Sequence, residues 1–162
     1  IVHLMGSHER FSVRYPAEYQ HFSEGHYINF PKNQRQTRSE YDNSILYNDC
    51  IISDIIQYYQ DKEAIIIYFP DHGLDIYHSD NNYAGHARQA IPASYNAGTN
   101  IPFIIWCSDL YTERFPSVLN RIAASTKKEY KTEDMMYTIL DIAGISFETT
   151  DDIDNHSLFS NY

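Results

Sequence analysis

Asp71 and His72 are adjacent; they follow an apolar and aromatic run, residues 64–69, through Pro70, and are followed by Gly73. A carboxylate beside an imidazole offers one oxygen and one nitrogen donor, a set suited to a borderline cation such as zinc. Gly73 allows either a positive φ or a close backbone approach just after the pair. The plainer alternative is a turn aspartate beside a surface histidine, because short motifs often match by chance. Other imidazoles stand at loop positions. His3 and His8 flank the exit from an apolar opening run, and His86 follows Gly85 in a long polar segment, with His78 a second candidate there. Each alone is more often a surface or hydrogen-bonded structural residue.

The elements that must position these residues can be read from the pattern around them. Ile65-Ile66-Ile67-Tyr68-Phe69 shows no inside/outside alternation, as expected of a strand covered on both faces in a parallel sheet. Ligands gather outside the carboxyl ends of strands in such sheets. Residues 1–5 read as the end of another strand, and the run 101–107 as a third that ends near Ser108 and Asp109. If the three are parallel neighbours, His8, Asp71 and His72 share one sheet edge, and His86 folds back over it.

Residues 41–60 carry Ile45, Leu46, Ile52, Ile55, Ile56 and Tyr59 at helical spacing, with Ser39 or Asp42 to cap the start and Asp49 and Asp54 on the polar face. Residues 9–40 read as loop, including the polar stretch 31–39, with a short helix around 16–22. A helix is expected over 113–124 with Pro116 in its first turn, and another over 133–143, capped by Thr132 and stopped by Gly144. Residues 76–92 read as an irregular connection, and the acidic tail, 145–162, as room for one last short element.

Composition narrows the function classes. At 162 residues the chain suits one domain, and its 43% hydrophobic share argues against disorder. Twelve basic against twenty-two acidic residues, a formal charge of −10, disfavour nucleic acid as a partner. An anionic substrate remains compatible, since a bound metal reverses the local field. Cys50 and Cys107 are expected to be buried free thiols in a helix and a strand. With no initiator methionine or signal peptide ahead of Ile1, the chain is expected to be a piece of a longer protein.

The segments His3-Leu4-Met5-Gly6-Ser7-His8, Arg14-Tyr15-Pro16, Tyr41-Asp42-Asn43-Ser44-Ile45-Leu46-Tyr47-Asn48-Asp49, Asp71-His72-Gly73, Gly85-His86 and Ile101-Pro102-Phe103-Ile104-Ile105-Trp106 occur in this order. Together they resemble the C-terminal half of the catalytic domain of bacterial phosphoethanolamine transferases, in the sulfatase branch of the alkaline phosphatase superfamily. The resemblance covers roughly residues 1–110. It implies an α/β fold around a largely parallel sheet flanked by helices, of which residues 1–162 would be one C-terminal segment.

The resemblance further implies transfer of phosphoethanolamine from phosphatidylethanolamine to lipid A or another envelope glycan. The enzyme would sit in the bacterial inner membrane through an absent N-terminal region and face the periplasm. It would use one or two Zn2+ ions and a threonine nucleophile upstream of this chain, so that the fragment alone is inactive. Asp71 and His72 would bind the catalytic zinc, and His8 and His86 would contact the substrate phosphate or a second zinc. Many relatives have Glu directly after D-H-G, where this chain has Leu74 and then Asp75. Two other readings stand beside this one: a sulfatase or phosphodiesterase of the same superfamily, and a non-catalytic envelope domain.

Overall fold

The computed structural model describes residues 1–145 and 156–160. In chain order its elements are α1 (Lys32–Tyr59), β1 (Ile65–Tyr68), β2 (Asp75–Ile76), β3 (Ala84–Gly85), α2 (Pro92–Thr99), β4 (Ile104–Cys107), α3 (Asp109–Arg114), α4 (Pro116–Ser125) and α5 (Met135–Ile142), with 3₁₀ turns between them. They fall into two compact units, one of Ile1–Tyr58 and His72–Phe103, the other of Tyr59–Asp71 and Ile104–Tyr162.

In the first unit, α1 begins nine residues before the expected start. The polar stretch 32–39, expected to be loop, is its first part. Pro31 precedes the helix, and the Gln, Arg and Lys residues after it are good helix formers. The stripe that α1 buries there is polar: Gln34, Ser39, Asn43 and Ser44. Ser39 and Asp42 are interior to the helix and do not cap it. Ser39 Oγ donates to the Gln36 carbonyl at 2.8 Å, and Asp42 accepts from the Tyr27 hydroxyl.

Burying such groups costs free energy unless each finds a partner. Asn43 finds two, accepting from the Phe22 N–H at 2.8 Å and donating to the Phe22 carbonyl at 2.9 Å. Gln34 donates to the Asn81 carbonyl at 2.9 Å, so the helix start is tied to the turn between β2 and β3. The apolar part of this interior is small, with Phe11 and Ile76 buried and Phe11 edge-on to Tyr41 at 5.2 Å. Asp49 and Asp54 are exposed, as their helical phase requires. The region of the expected helix around 16–22 forms only a 3₁₀ turn, Ala17–Tyr19.

The connection expected to be irregular contains a two-residue antiparallel pair, β2 with β3, Asp75 opposite Gly85 and Ile76 opposite Ala84. Asp75, fully buried, organises it. Its carboxylate accepts from the backbone N–H groups of His78 at 2.8 Å and Ser79 at 3.2 Å and from the Ser79 hydroxyl. Burial alone would raise this carboxyl's pKa, but these hydrogen bonds and one with Ser94 outweigh it and lower the pKa to about 2.

In the second unit, β1 and β4 pair antiparallel, Ile65 opposite Cys107 and Tyr68 opposite Ile104. The parallel arrangement expected of the apolar runs is therefore not what these strands adopt. Residues 1–5, expected to end a third strand, form none, and Ile1, Val2 and Met5 are exposed. A continuous apolar run reports burial and carries no strand direction, and the long segment between β1 and β4 permits either sense. Neither strand is fully buried.

Because the pair is antiparallel, the end of β4 meets the start of β1. Ser108 is accordingly a clasp, accepting from the Ala64 N–H at 3.1 Å and capping α3 through the Tyr111 N–H at 3.1 Å. It lies at the opposite end of this sheet from the Asp71 end of β1. Cys107 is a free thiol whose pKa is raised by burial, and Cys50 on α1 is also free.

The expected helix at 113–124 is two helices, with Pro116 opening the second. The Thr132 region forms a 3₁₀ turn ahead of α5, and Gly144, at φ 65°, ends it in the left-handed conformation. Of the acidic tail, residues 146–155 and 161–162 lie outside the described residues; 156–160 dock on α4 and α5. The Leu158 N–H donates to Thr138 Oγ1 at 2.8 Å, and Ser157 Oγ donates to Asp141 at 2.6 Å.

Candidate functional site

Three of the four expected site residues converge inside the first unit, by a route other than a shared sheet edge. The His72 and His86 ring centroids lie 4.6 Å apart, and those of His8 and His86 6.4 Å. His86 is thus the middle imidazole of a triad drawn from the start of the chain, the D-H-G turn and the segment after β3. Asp71, exposed and peptide-bonded to His72, belongs to the other unit. His3 is exposed, and His78 stands 3.9 Å from the Asp75 carboxylate.

Each imidazole has its own support. The Gly73 N–H donates to the Gly98 carbonyl at 2.8 Å, and a Cβ on Gly73 would lie 2.2 Å from the Ala97 carbonyl oxygen. Of the two uses foreseen for Gly73, close approach is the one realised. It seats the D-H-G turn against α2, where Gly98 in turn leaves room for Ala87, whose Cβ would be 2.1 Å from an added one. His72 Nδ1 lies 2.8 Å from the Gly73 carbonyl. A carbonyl only accepts, so Nδ1 carries the proton and the neutral ring has its lone pair on Nε2.

His86 is held from behind by Tyr83, whose hydroxyl donates to the His86 carbonyl at 2.6 Å. Arg88 stacks on the Tyr83 ring at 3.9 Å and donates to Ser79 at 2.7 Å, joining His86's segment to the Asp75 network. His8 is braced by Arg14, which donates from Nε to the His8 carbonyl at 3.3 Å and from a terminal nitrogen to the Glu9 carbonyl at 3.1 Å. Of these supports, Asp75 is the one the sequence offers as a structural substitute near the D-H-G turn, whereas it assigns Tyr83 and Arg88 no role. The signal for Tyr83 and Arg88 is a cluster of hydrogen-bonding residues in a segment too long for a plain connection.

The donor chemistry of His72 fits a metal: an Nδ1–H on a carbonyl with Nε2 as the basic nitrogen is how zinc-binding imidazoles are commonly held. Among the described residues, however, no group of three or more His, Cys, Asp and Glu side chains is arranged to enclose a metal ion. A groove of about 660 Å³ in the same unit is lined by residues that include Ser12, Tyr15, Glu24 and Glu40, and by none of the imidazoles. The chemistry therefore points to the histidine triad and away from that concavity.

These features belong to a known class: the sequence profile of the Sulfatase family matches residues 1–145, and the chain is a member of that family. Among individual proteins, it is 26% identical over 157 residues to phosphoethanolamine transferase EptC of Escherichia coli strain K12, covering 93% of this chain and 26% of that protein. It is 32% identical over 114 residues to the Kdo(2)-lipid A phosphoethanolamine 7''-transferase of the same strain, covering 70% of this chain and 20% of that protein. Phosphoethanolamine transferase EptA of Salmonella typhimurium strain LT2 is 27% identical over 168 residues, covering 94% and 29%. The chain thus spans between a fifth and a third of the length of these relatives. No solved structure gives a significant match.

Proposed function

We propose that the chain is part of a zinc-dependent phosphoethanolamine transferase that takes its group from phosphatidylethanolamine and delivers it to lipid A or another envelope glycan. The observation that carries this reading is the gathering of His8, His72 and His86 in one unit of a chain similar to transferases of that name. The nucleophile is a threonine outside these residues. The whole enzyme sits in the inner membrane with this part facing the periplasm. Among the described residues no helix is long and apolar enough to cross a membrane.

In this reading Asp71 and His72 hold the zinc, with Nε2 as the nitrogen ligand. When bound, zinc supplies Lewis acidity, drawing charge from phosphoryl oxygens and lowering the pKa of a hydroxyl. His86, in ring contact with both other imidazoles, orients the phosphoryl group and passes a proton to the leaving oxygen. His8, whose ring lies 6.4 Å from that of His86, contacts the same group. Whether either ring also holds a second ion depends on which nitrogen it presents.

The test is the full-length protein incubated with phosphatidylethanolamine and lipid A. Mass spectrometry should find phosphoethanolamine on the acceptor, and His72→Ala should abolish both zinc retention and transfer. Release of the headgroup to water, with no acceptor modified, would favour a phosphodiesterase. Cleavage of a sulfate ester would favour a sulfatase. Normal turnover by His72→Ala would overturn the assignment of that residue.

A further inference from the structure

Arg14 makes three contacts with the Gly6-Ser7-His8-Glu9 turn, two to carbonyl oxygens and one to the ring of His8. A terminal guanidinium nitrogen lies 3.5 Å from His8 Nδ1. A guanidinium carries five N–H donors and no acceptor. Facing it, Nδ1 can contribute only its lone pair, because an N–H there would point a donor at a cation. The proton of the neutral ring must then be on Nε2. His72 is held the opposite way, with Nδ1–H on the Gly73 carbonyl and the lone pair on Nε2.

We propose that Arg14 is a positioning residue that fixes His8 as an Nε2–H donor, so that His8 binds an anionic phosphoryl oxygen and is not a metal ligand. The two rings flanking His86 then divide the work by tautomer. The Nε2 lone pair of His72 suits a cation, while the N–H of His8 attracts an oxyanion, and a hydrogen bond to developing negative charge stabilises a transition state more than a ground state. The carbonyl contacts hold the guanidinium at the turn, so its register with Nδ1 does not depend on the ring. Ser7 Oγ, buried beside His8 with no partner among the described residues, offers the arginine no competing acceptor bond in the structure. The assignment of the oxygen to a phosphoryl group rests on the proposed function; the tautomer does not.

The experiment uses full-length protein labelled with 15N at histidine, studied under alkaline conditions in which imidazoles are neutral, with His8 assigned by its loss in His8→Asn. The expected spectrum has a lone-pair shift at His8 Nδ1 and an N–H shift at Nε2. Arg14→Met should lose that preference and lower kcat by as much as about 10²-fold, the lower end of the effect of removing one donor to developing negative charge. Arg14→Lys, still a donor-only cation, should keep the tautomer. His8→Asn should retain the zinc content of the native protein, whereas His72→Ala loses it. A protonated Nδ1 on His8 in the native protein, an unchanged tautomer in Arg14→Met, or loss of zinc from His8→Asn would each overturn the proposal. Nitrogen shifts and zinc content are read without turnover, so failure of phosphoethanolamine transfer would overturn the proposed function alone.

Discussion

Asp75 shows how one residue can matter to the site without touching it. Its carboxylate is the hub beneath the segment that carries His86, and it is stabilised as an anion by serine hydroxyls and backbone N–H groups. Its pKa is lowered on folding from 3.8 to about 2. The folded state therefore binds a proton less readily than the unfolded chain, and the stabilisation is fully present above pH 4. It is lost as pH falls through 3.8 toward 2, and amounts to roughly 2 kcal/mol. Urea unfolding of the native protein should weaken over that window. Asp75→Asn should flatten that part of the profile and lower stability at neutral pH; an unchanged acid limb would deny Asp75 the role. Asp75, two positions after Gly73, thus anchors the local turn.

At the scale of elements, glycine and asparagine do what apolar contact does elsewhere. Gly98→Ala would place a Cβ 2.1 Å from that of Ala87, forcing α2 away from the residue that follows His86. The expected cost is about 1–3 kcal/mol of stability. Activity should fall by as much as about 10²-fold, since a displacement near 1 Å at a reacting group has that effect. A variant with native kinetics would show that α2 does not set the position of His86. Asn43→Ala would orphan the N–H and carbonyl of Phe22, and should cost about 2–3 kcal/mol in a urea titration. The same asparagine explains why the start of α1 was illegible. Hydrophobic periodicity locates a helix by its apolar stripe, and residues 32–44 bury Gln34, Ser39, Asn43 and Ser44 in its place. Where helices carry apolar faces, as at 116–125 and 135–142, the pattern found them within a few residues.

For the whole molecule, three of the four residues expected to meet lie together, and by a route other than the expected one. Motif order identified the family and grouped His8 with His72 and His86. The parallel edge invoked to bring them together does not form, because apolar runs encode burial and leave strand direction to long-range pairing. Among the described residues a loop-borne triad of this kind has no continuous sheet to hold it rigid, and a metal bound at His72 would tie the D-H-G turn to whatever other ligands it recruits. Binding of a ligand to the folded state alone stabilises it by RT ln(1 + [L]/Kd), about 4 kcal/mol at a thousandfold excess over Kd. On the proposed function, chelation of zinc from the full-length protein should therefore abolish transfer and also lower Tm by several degrees, with both restored by stoichiometric zinc. His72→Ala should show the lower Tm from the outset and no response to zinc. Full transfer in a protein shown by elemental analysis to be metal-free would defeat the zinc-dependent reading, and a chelation-insensitive Tm with lost activity would confine the ion to chemistry without a part in holding the site.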